Sequence, residues 1–279
     1  MSSSHERNDR KHRRPQAEAR GQRGSSSPAK PWSGHGRDKD GAYWLWGWHP
    51  VAAALANPQR PAPQRLLASA ERAHQLTERF GRLADLEVVE ANALRDLLPS
   101  GAIHQGVALK TPPIEPVAID KLGALPGRVL LMLDQVTDPQ NVGAIFRSAA
   151  ALGASGLILQ DRHAPALSGA LAKAAAGAID ALPHARVVNL SRALERLAEL
   201  GWRAVGLDGS AIETLAEALD DRPTVLVMGS EGEGLRRLVA EHCDALARIP
   251  MPGGFESLNV SAAAAIALYE AVSRRAPSA

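Results

Sequence analysis

Cysteine is nearly absent from this 279-residue chain: Cys243 is the only one. An internal disulfide is excluded, as is any zinc or iron–sulfur centre built on several thiolates, and a reducing cytosol suits such a chain. Long apolar runs are missing too. Charges or turn residues break every hydrophobic stretch well short of the roughly 18 residues a membrane helix needs, so a soluble, cytoplasmic protein with no membrane partner is expected. The start, Met-Ser-Ser-Ser-His-Glu-Arg, lacks the apolar core of a secretory signal, and Glu6, Asp9, Glu18, Asp38 and Asp40 argue against an organellar presequence. Aromatic residues make up only 4% of the chain. With 45% hydrophobic and 22% charged residues, the composition is that of a globular protein, which excludes collagen, coiled coil and wholesale disorder.

The formal charge of +2 is unevenly spread. Residues 1–40 hold ten Lys and Arg against five Asp and Glu, whereas the remainder holds 22 against 25. This Ser/Gly/Pro/Arg-rich segment has no periodic apolar residues to offset its ordering entropy, so a disordered basic tail is expected. It reads either as a solvated tail or as an arm that seeks RNA phosphates without choosing a sequence.

From Tyr43 the pattern changes. Trp44, Trp46 and Trp48, spaced by two, are expected on one face of a strand, as core of a small domain or as a base-stacking platform. Short strands and helices then alternate to Lys110, which predicts a compact α/β module over 41–110. Thr-Pro-Pro-Ile-Glu-Pro-Val opens the best linker in the chain, 111–127. A second alternation over 128–279 places strands at Val129–Leu133, Gly156–Gln160, Arg186–Val188, Arg203–Leu207, Thr224–Met228 and Ala245–Ile249, with a long helix at about 258–273. Val-Leu-Leu-Met-Leu and Thr-Val-Leu-Val-Met are apolar on both faces, as buried parallel strands must be. The fold class is therefore α/β, with a mostly parallel sheet sandwiched by helices.

Ligands of open parallel sheets bind at the carboxyl ends of strands, and three segments there stand out. In Leu133-Asp134-Gln135-Val136-Thr137-Asp138-Pro139-Gln140-Asn141, an Asp-Pro turn opens a helix carrying Asn141 and, six residues and about 9 Å of rise further on, Arg147, near enough to converge on one ligand. Gly229-Ser230-Glu231-Gly232-Glu233-Gly234 lets backbone amides approach a ligand. It is neither the dinucleotide fingerprint nor a P-loop. Its two glutamates would repel a polyphosphate yet tolerate a cationic sulfonium. Ile249-Pro250-Met251-Pro252-Gly253-Gly254-Phe255-Glu256-Ser257-Leu258-Asn259-Val260-Ser261 is a rigid loop leading into the last helix, with Ser257, Asn259 and Ser261 offering side-chain hydrogen bonds. Each segment alone could be mere capping. No His/carboxylate or Cys cluster suggests a metal, and His163, His184 and His242 read as surface or core residues.

In this order the three segments resemble the signature motifs of the SpoU family of RNA 2′-O-methyltransferases, in the SPOUT class. Gly47-x-His49-x-Val51 and Ile103-His104-Gln105-Gly106-Val107 are similar to the small substrate-binding domain of its RlmB-type members. The resemblance implies a trefoil-knotted sheet, an exception to unthreaded topology, a homodimer, and S-adenosylmethionine as methyl donor with no metal. It implies methylation of a guanosine ribose in 23S rRNA. It places Gly229, Ile249 and Leu258 at the donor and Asn141, Arg147, Glu231, Ser257 and Asn259 at catalytic and substrate-orienting positions. A tRNA ribose as target, or a non-catalytic ribosomal RNA-binding protein, are the alternatives.

Overall fold

The computed structural model describes residues 41–125, 127–255 and 257–274, so the expected basic tail 1–40 lies outside the described residues. The first part of the chain runs β1 (Tyr43–Trp46), α1 (Trp48–Ala56), β2 (Arg65–Ala68), α2 (Ala70–Phe80), β3 (Leu86–Val88), α3 (Ala91–Leu97) and β4 (Val107–Thr111). Its sheet has the order β1-β4-β2-β3, with β4 antiparallel to both neighbours and β2 parallel to β3. After α4 (Ile119–Gly123) come β5 (Val129–Leu133), α5 (Pro139–Ala151), β6 (Gly156–Gln160), α6 (Gly169–Ala175), α7 (Ala178–Ala181), β7 (His184–Val187) and α8 (Leu190–Glu199). Then follow β8 (Arg203–Leu207), α9 (Leu215–Ala218), β9 (Thr224–Met228), α10 (Arg237–Glu241), β10 (Ala245–Ala247) and α11 (Val260–Ser273).

The second sheet has the order β10-β8-β9-β5-β6-β7 and is parallel throughout. Strands β5, β6 and β9 are buried at every residue, as their apolar centres require, with the polar Gln160 and Thr224 buried at strand ends. The alternation along β5 divides two cores: Val129, Leu131 and Leu133 join one cluster, Leu130 and Met132 the other. No helix among the described residues is long and apolar enough to cross a membrane.

Two expectations change in detail, and the core reading of the tryptophans holds for Trp46. Trp48 is not on the first strand, because Gly47 at φ 90° ends β1 and Trp48 begins α1. Trp46 is core, packed with Leu67, Leu94 and Ala108. The segment 111–127 is more than an extended linker: α4 lies in it, and its Leu122 is fully buried among Leu130, Ile158 and Trp202, whose indole N–H donates to the Gly123 carbonyl (2.9 Å).

The two sheets share a core. Tyr43, Leu45, Leu66 and Leu109 of the small sheet belong to the same apolar cluster as Phe146, Leu171 and Ala175. A buried ion pair crosses this junction. Arg60 donates from Nε to Asp180 Oδ1 (2.6 Å) and from Nη2 to Oδ2 (3.0 Å), with side-chain exposures of 3% and 4%. Asn57 Nδ2 also donates to Asp180 (3.2 Å), and Arg60 Nη1 to the Pro112 carbonyl (3.1 Å). Such a fork fixes orientation as well as distance.

His184 lies in this core, 2% exposed, with its ring edge-on to Phe146 at 5.8 Å. Burial, followed by the charge of Arg186, pushes its pKa down to about 4. His242 instead sits half-exposed beside Glu195 (3.0 Å), and its pKa is raised, chiefly by its bond to the Leu238 carbonyl and by Glu195.

Two outcomes are expected. Asp180→Ala strands a buried guanidinium and costs about 3–5 kcal/mol in urea unfolding, whereas Arg60→Met/Asp180→Leu recovers most of that loss; equal losses would deny the pair its role. For His184, the unfolded chain binds the proton below about pH 6.5 while the folded one does not until about pH 4. Stability therefore falls as pH drops through that window, by roughly 3 kcal/mol in all, and His184→Phe flattens the fall measured by urea unfolding between pH 7 and 4.5.

Candidate functional site

Each of the three sequence segments leaves a parallel strand or edge of the large sheet. After β5, Asp138 caps α5 by accepting from the backbone N–H of Gln140 (3.1 Å) and Asn141 (3.3 Å), and Pro139 supplies the first helical residue. This cap sets Asn141 in the first turn of α5. After β9, the glycine segment folds into a closed hairpin in which Ser230 and Gly234 exchange backbone bonds (3.2 and 3.1 Å). A Cβ at Gly229 would collide with the Gly234 carbonyl, so the tight closure requires glycine there. After β10, the chain reaches α11, whose N-cap is Asn259: its Oδ1 accepts from Ser261 N (3.0 Å) and Oγ (2.5 Å).

The three segments meet at Glu231. Its Oε1 accepts from Asn141 Nδ2 (3.2 Å), Asn259 Nδ2 (2.7 Å) and the Val260 backbone N–H (3.2 Å). Asn259 Nδ2 also donates to Asn141 Oδ1 (3.0 Å). The carboxylate thus sits at the N-terminus of α11, where the aligned peptide dipoles favour negative charge.

Beside this junction lies a cavity of about 440 Å³ at the carboxyl ends of β8, β9 and β10, within the range of small-ligand sites. Gly229, Glu231, Ile249, Ser257 and Leu258 line it. Asn141 and Asn259 reach its edge through Glu231. Arg147 does not: it is exposed and makes no hydrogen bond or ion pair among the described residues. The expected convergence with Asn141 fails within one chain for a geometric reason. Positions six apart lie about 120° apart around a helix, and Gly143, one turn before Arg147, packs on Leu171 and Ala174 of α6 rather than on the cavity side.

Among the described residues the charged ones lining the cavity are all acidic, Asp208, Glu231 and Glu233, with no Lys, Arg or His. The remainder is apolar side chain, including Met228, Leu235 and Val260, with glycine backbone and the two serines Ser230 and Ser257. Such a pocket suits a ligand with an apolar or aromatic body and a positive centre, and it disfavours a polyphosphate.

Two features escaped the sequence reading. Asp208 and Gly209 form part of the cavity wall just beyond β8, in an Asx turn where Asp208 Oδ1 accepts from Ser210 N (2.8 Å). A Leu-Asp-Gly at the end of an apolar strand was the available signal. The exit of the glycine hairpin is pinned by Arg236, whose backbone N–H and Nε donate to the two oxygens of fully buried Asp134 (2.9 and 2.7 Å), while its Nη2 reaches Gln160 (3.3 Å). Those partners are 102 and 76 residues apart, so spacing could not reveal them.

Comparison with known proteins agrees with this arrangement. Residues 128–269 match the SpoU rRNA Methylase family, and residues 44–117 match the RNA 2′-O ribose methyltransferase substrate binding family. The chain is 41% identical over 242 residues to a 23S rRNA (guanosine-2′-O-)-methyltransferase RlmB from Xylella fastidiosa strain Temecula1, covering 83% of this chain and 96% of the relative. Against the RlmB of Photorhabdus laumondii it is 40% identical, covering 83% and 98%. Among solved structures, the SpoU methyltransferase AviRb from Streptomyces viridochromogenes in complex with AdoMet superposes with a TM-score of 0.72 at 27% identity, over 85% of this chain and 91% of that one. An AdoMet-bound rRNA methyltransferase from Sinorhizobium meliloti gives 0.71 at 28%, over 87% and 90%. With both segments matched and two-fifths of the residues shared along most of its length, the chain belongs to the SpoU rRNA methylase family.

Proposed function

We propose that this protein transfers the methyl group of S-adenosylmethionine to the ribose 2′-oxygen of a guanosine in 23S rRNA, in the cytoplasm and without a metal. The observation that carries this reading is the meeting of three separated segments at Glu231 on the rim of a cavity whose charged walls are all acidic. The RlmB relatives act on 23S rRNA guanosine, as their names state, and they align with four-fifths of this chain. On this reading residues 128–279 carry out the transfer, 41–110 bind RNA, 111–127 join the two, and 1–40 form the basic tail.

S-Adenosylmethionine supplies a methyl carbon already activated by a sulfonium leaving group. The glycine hairpin at Gly229 and the backbone at Ile249 and near Leu258 would hold the adenosyl moiety, and the acidic lining would favour the positive sulfur. Asn141, Glu231 and Asn259 would keep the rim rigid, with Ser257 and Asn259 orienting the ribose. In-line displacement needs alignment above all. An arginine is effectively always protonated, so Arg147 would hold a flanking phosphate and stabilise negative charge growing on the 2′-oxygen.

Because Arg147 lies outside its own chain's cavity, the reading includes a homodimer. Helix α11 packs against α5 and presents Ala262, Ile266 and Tyr269 to solvent, the last two at 44% and 64% exposure. A second copy seated on that stripe would bring one protomer's Arg147 toward its partner's site. The reading also includes the family's trefoil threading, supported by the path of the chain from edge strand β10 back to α11 over the middle of the sheet.

Purified protein incubated with a 23S rRNA transcript and S-adenosylmethionine should yield 2′-O-methylguanosine when ribose methylation is mapped. An unmodified map would reject the target. In the same assay Arg147→Lys retains partial activity that rises little with pH; steep rescue by alkali would instead make Arg147 a proton acceptor.

A further inference from the structure

A pair of unneutralised cations lies where the small sheet meets α6. Lys173 of α6 donates from Nζ to Gln105 Oε1 (3.0 Å), and the same oxygen accepts the Trp48 backbone N–H (3.1 Å). Arg72 of α2 donates from Nε to the Gln105 carbonyl (2.9 Å), and its guanidinium lies 5.2 Å from the Trp48 ring. Its Nη1 is bonded to Gln75, a neutral partner. Neither Lys173 nor Arg72 has a carboxylate partner among the described residues. Gln105 holds both from a left-handed backbone, φ 54°, a conformation that costs a non-glycine residue energy and that clusters at ligand sites.

Lys173 is also partly desolvated, and burial lowers its pKa. Its ammonium lies over the backbone of Gly47, where a Cβ would strike it. Two cations withdrawn partly from water, without a counter-charge and hung on one glutamine, form a ready seat for an anion. The exposed His49 and the half-buried Trp48 beside them add the aromatic surface that accompanies nucleic-acid contacts.

We propose that Lys173 and Arg72 bind one RNA phosphodiester at this seam. The assignment rests on the RNA methylation proposed above, and it adds a contact that belongs to both sheets rather than to the small one alone. Leu171, two residues before Lys173, packs against Gly143 of α5, the helix that carries Asn141 and Arg147. A phosphate held by Lys173 is therefore registered against the helix of the reaction site.

The test is the salt dependence of binding to a 23S rRNA transcript, with methylation of the same transcript measured in parallel. Each phosphate contact contributes about 0.7–0.9 to the slope of log affinity against log salt. Lys173→Gln and Arg72→Gln should each lower the slope, the double variant by about one such contact in all, and each weaken binding about tenfold, while Lys173→Arg keeps the slope. S-Adenosylmethionine affinity, read by calorimetry, stays at the wild-type value in all three. If both glutamine variants keep the wild-type slope while the wild type methylates the transcript, the seam assignment is overturned and the methylation reading stands. If Lys173→Arg loses as much as Lys173→Gln and melts at lower temperature, Lys173 is a packing residue and the assignment is overturned. A wild type that neither binds nor methylates the transcript overturns both.

Discussion

One carboxylate oxygen organises the candidate site. Glu231 Oε1 receives donors from the first turn of α5, from the cap of α11 and from the first backbone N–H of α11, although these segments lie 90 and 28 residues away along the chain. Glu231 is exposed, so each bond contributes modestly to stability. Their importance is geometric. Removing the shared acceptor would leave the Asn141–Asn259 bond to tie the first segment to the third, and it would take a negative charge from the start of a fourteen-residue helix.

The central strands were the most legible part of the sequence. Val129–Leu133, Gly156–Gln160, Arg203–Leu207 and Thr224–Met228 fall where their apolar runs predict, because a strand covered on both faces tolerates no polar alternation to blur its ends. Edge strands were less legible: β7 begins at His184 rather than Arg186, and β10 stops at Ala247, after which Ile249 turns into the cavity wall. The tryptophan alternation misled for a local reason, since a positive φ at Gly47 overrides the period of two. Within the candidate site, the order of the segments was legible, but the partners were not. Spacing along α5 suggested that Asn141 and Arg147 converge, and helical rotation separates them; Asp134 and Arg236 meet only through tertiary folding.

The shared core gives the two sheets a fixed relation. Apolar packing from Leu45 and Leu109 to Leu171 and Ala175 is continuous, and the Arg60–Asp180 fork is desolvated enough to resist sliding. The Pro-rich connection alone would have allowed two loosely tethered bodies. In this fold, a contact made on the small sheet is made at a set position relative to α5 and the cavity, so recognition and reaction geometry are linked by packing.

Everything proposed for this protein depends on the cavity beside Glu231 being the seat of the methyl donor. A crystal structure of the protein grown with S-adenosylmethionine tests it most directly. The account predicts the adenosyl group against the backbone of Gly229, Ile249 and Leu258, with the methyl carbon facing the rim formed by Asn141, Glu231 and Asn259. Donor bound at another place in the fold, or a cavity left without donor at saturating concentration, would contradict it.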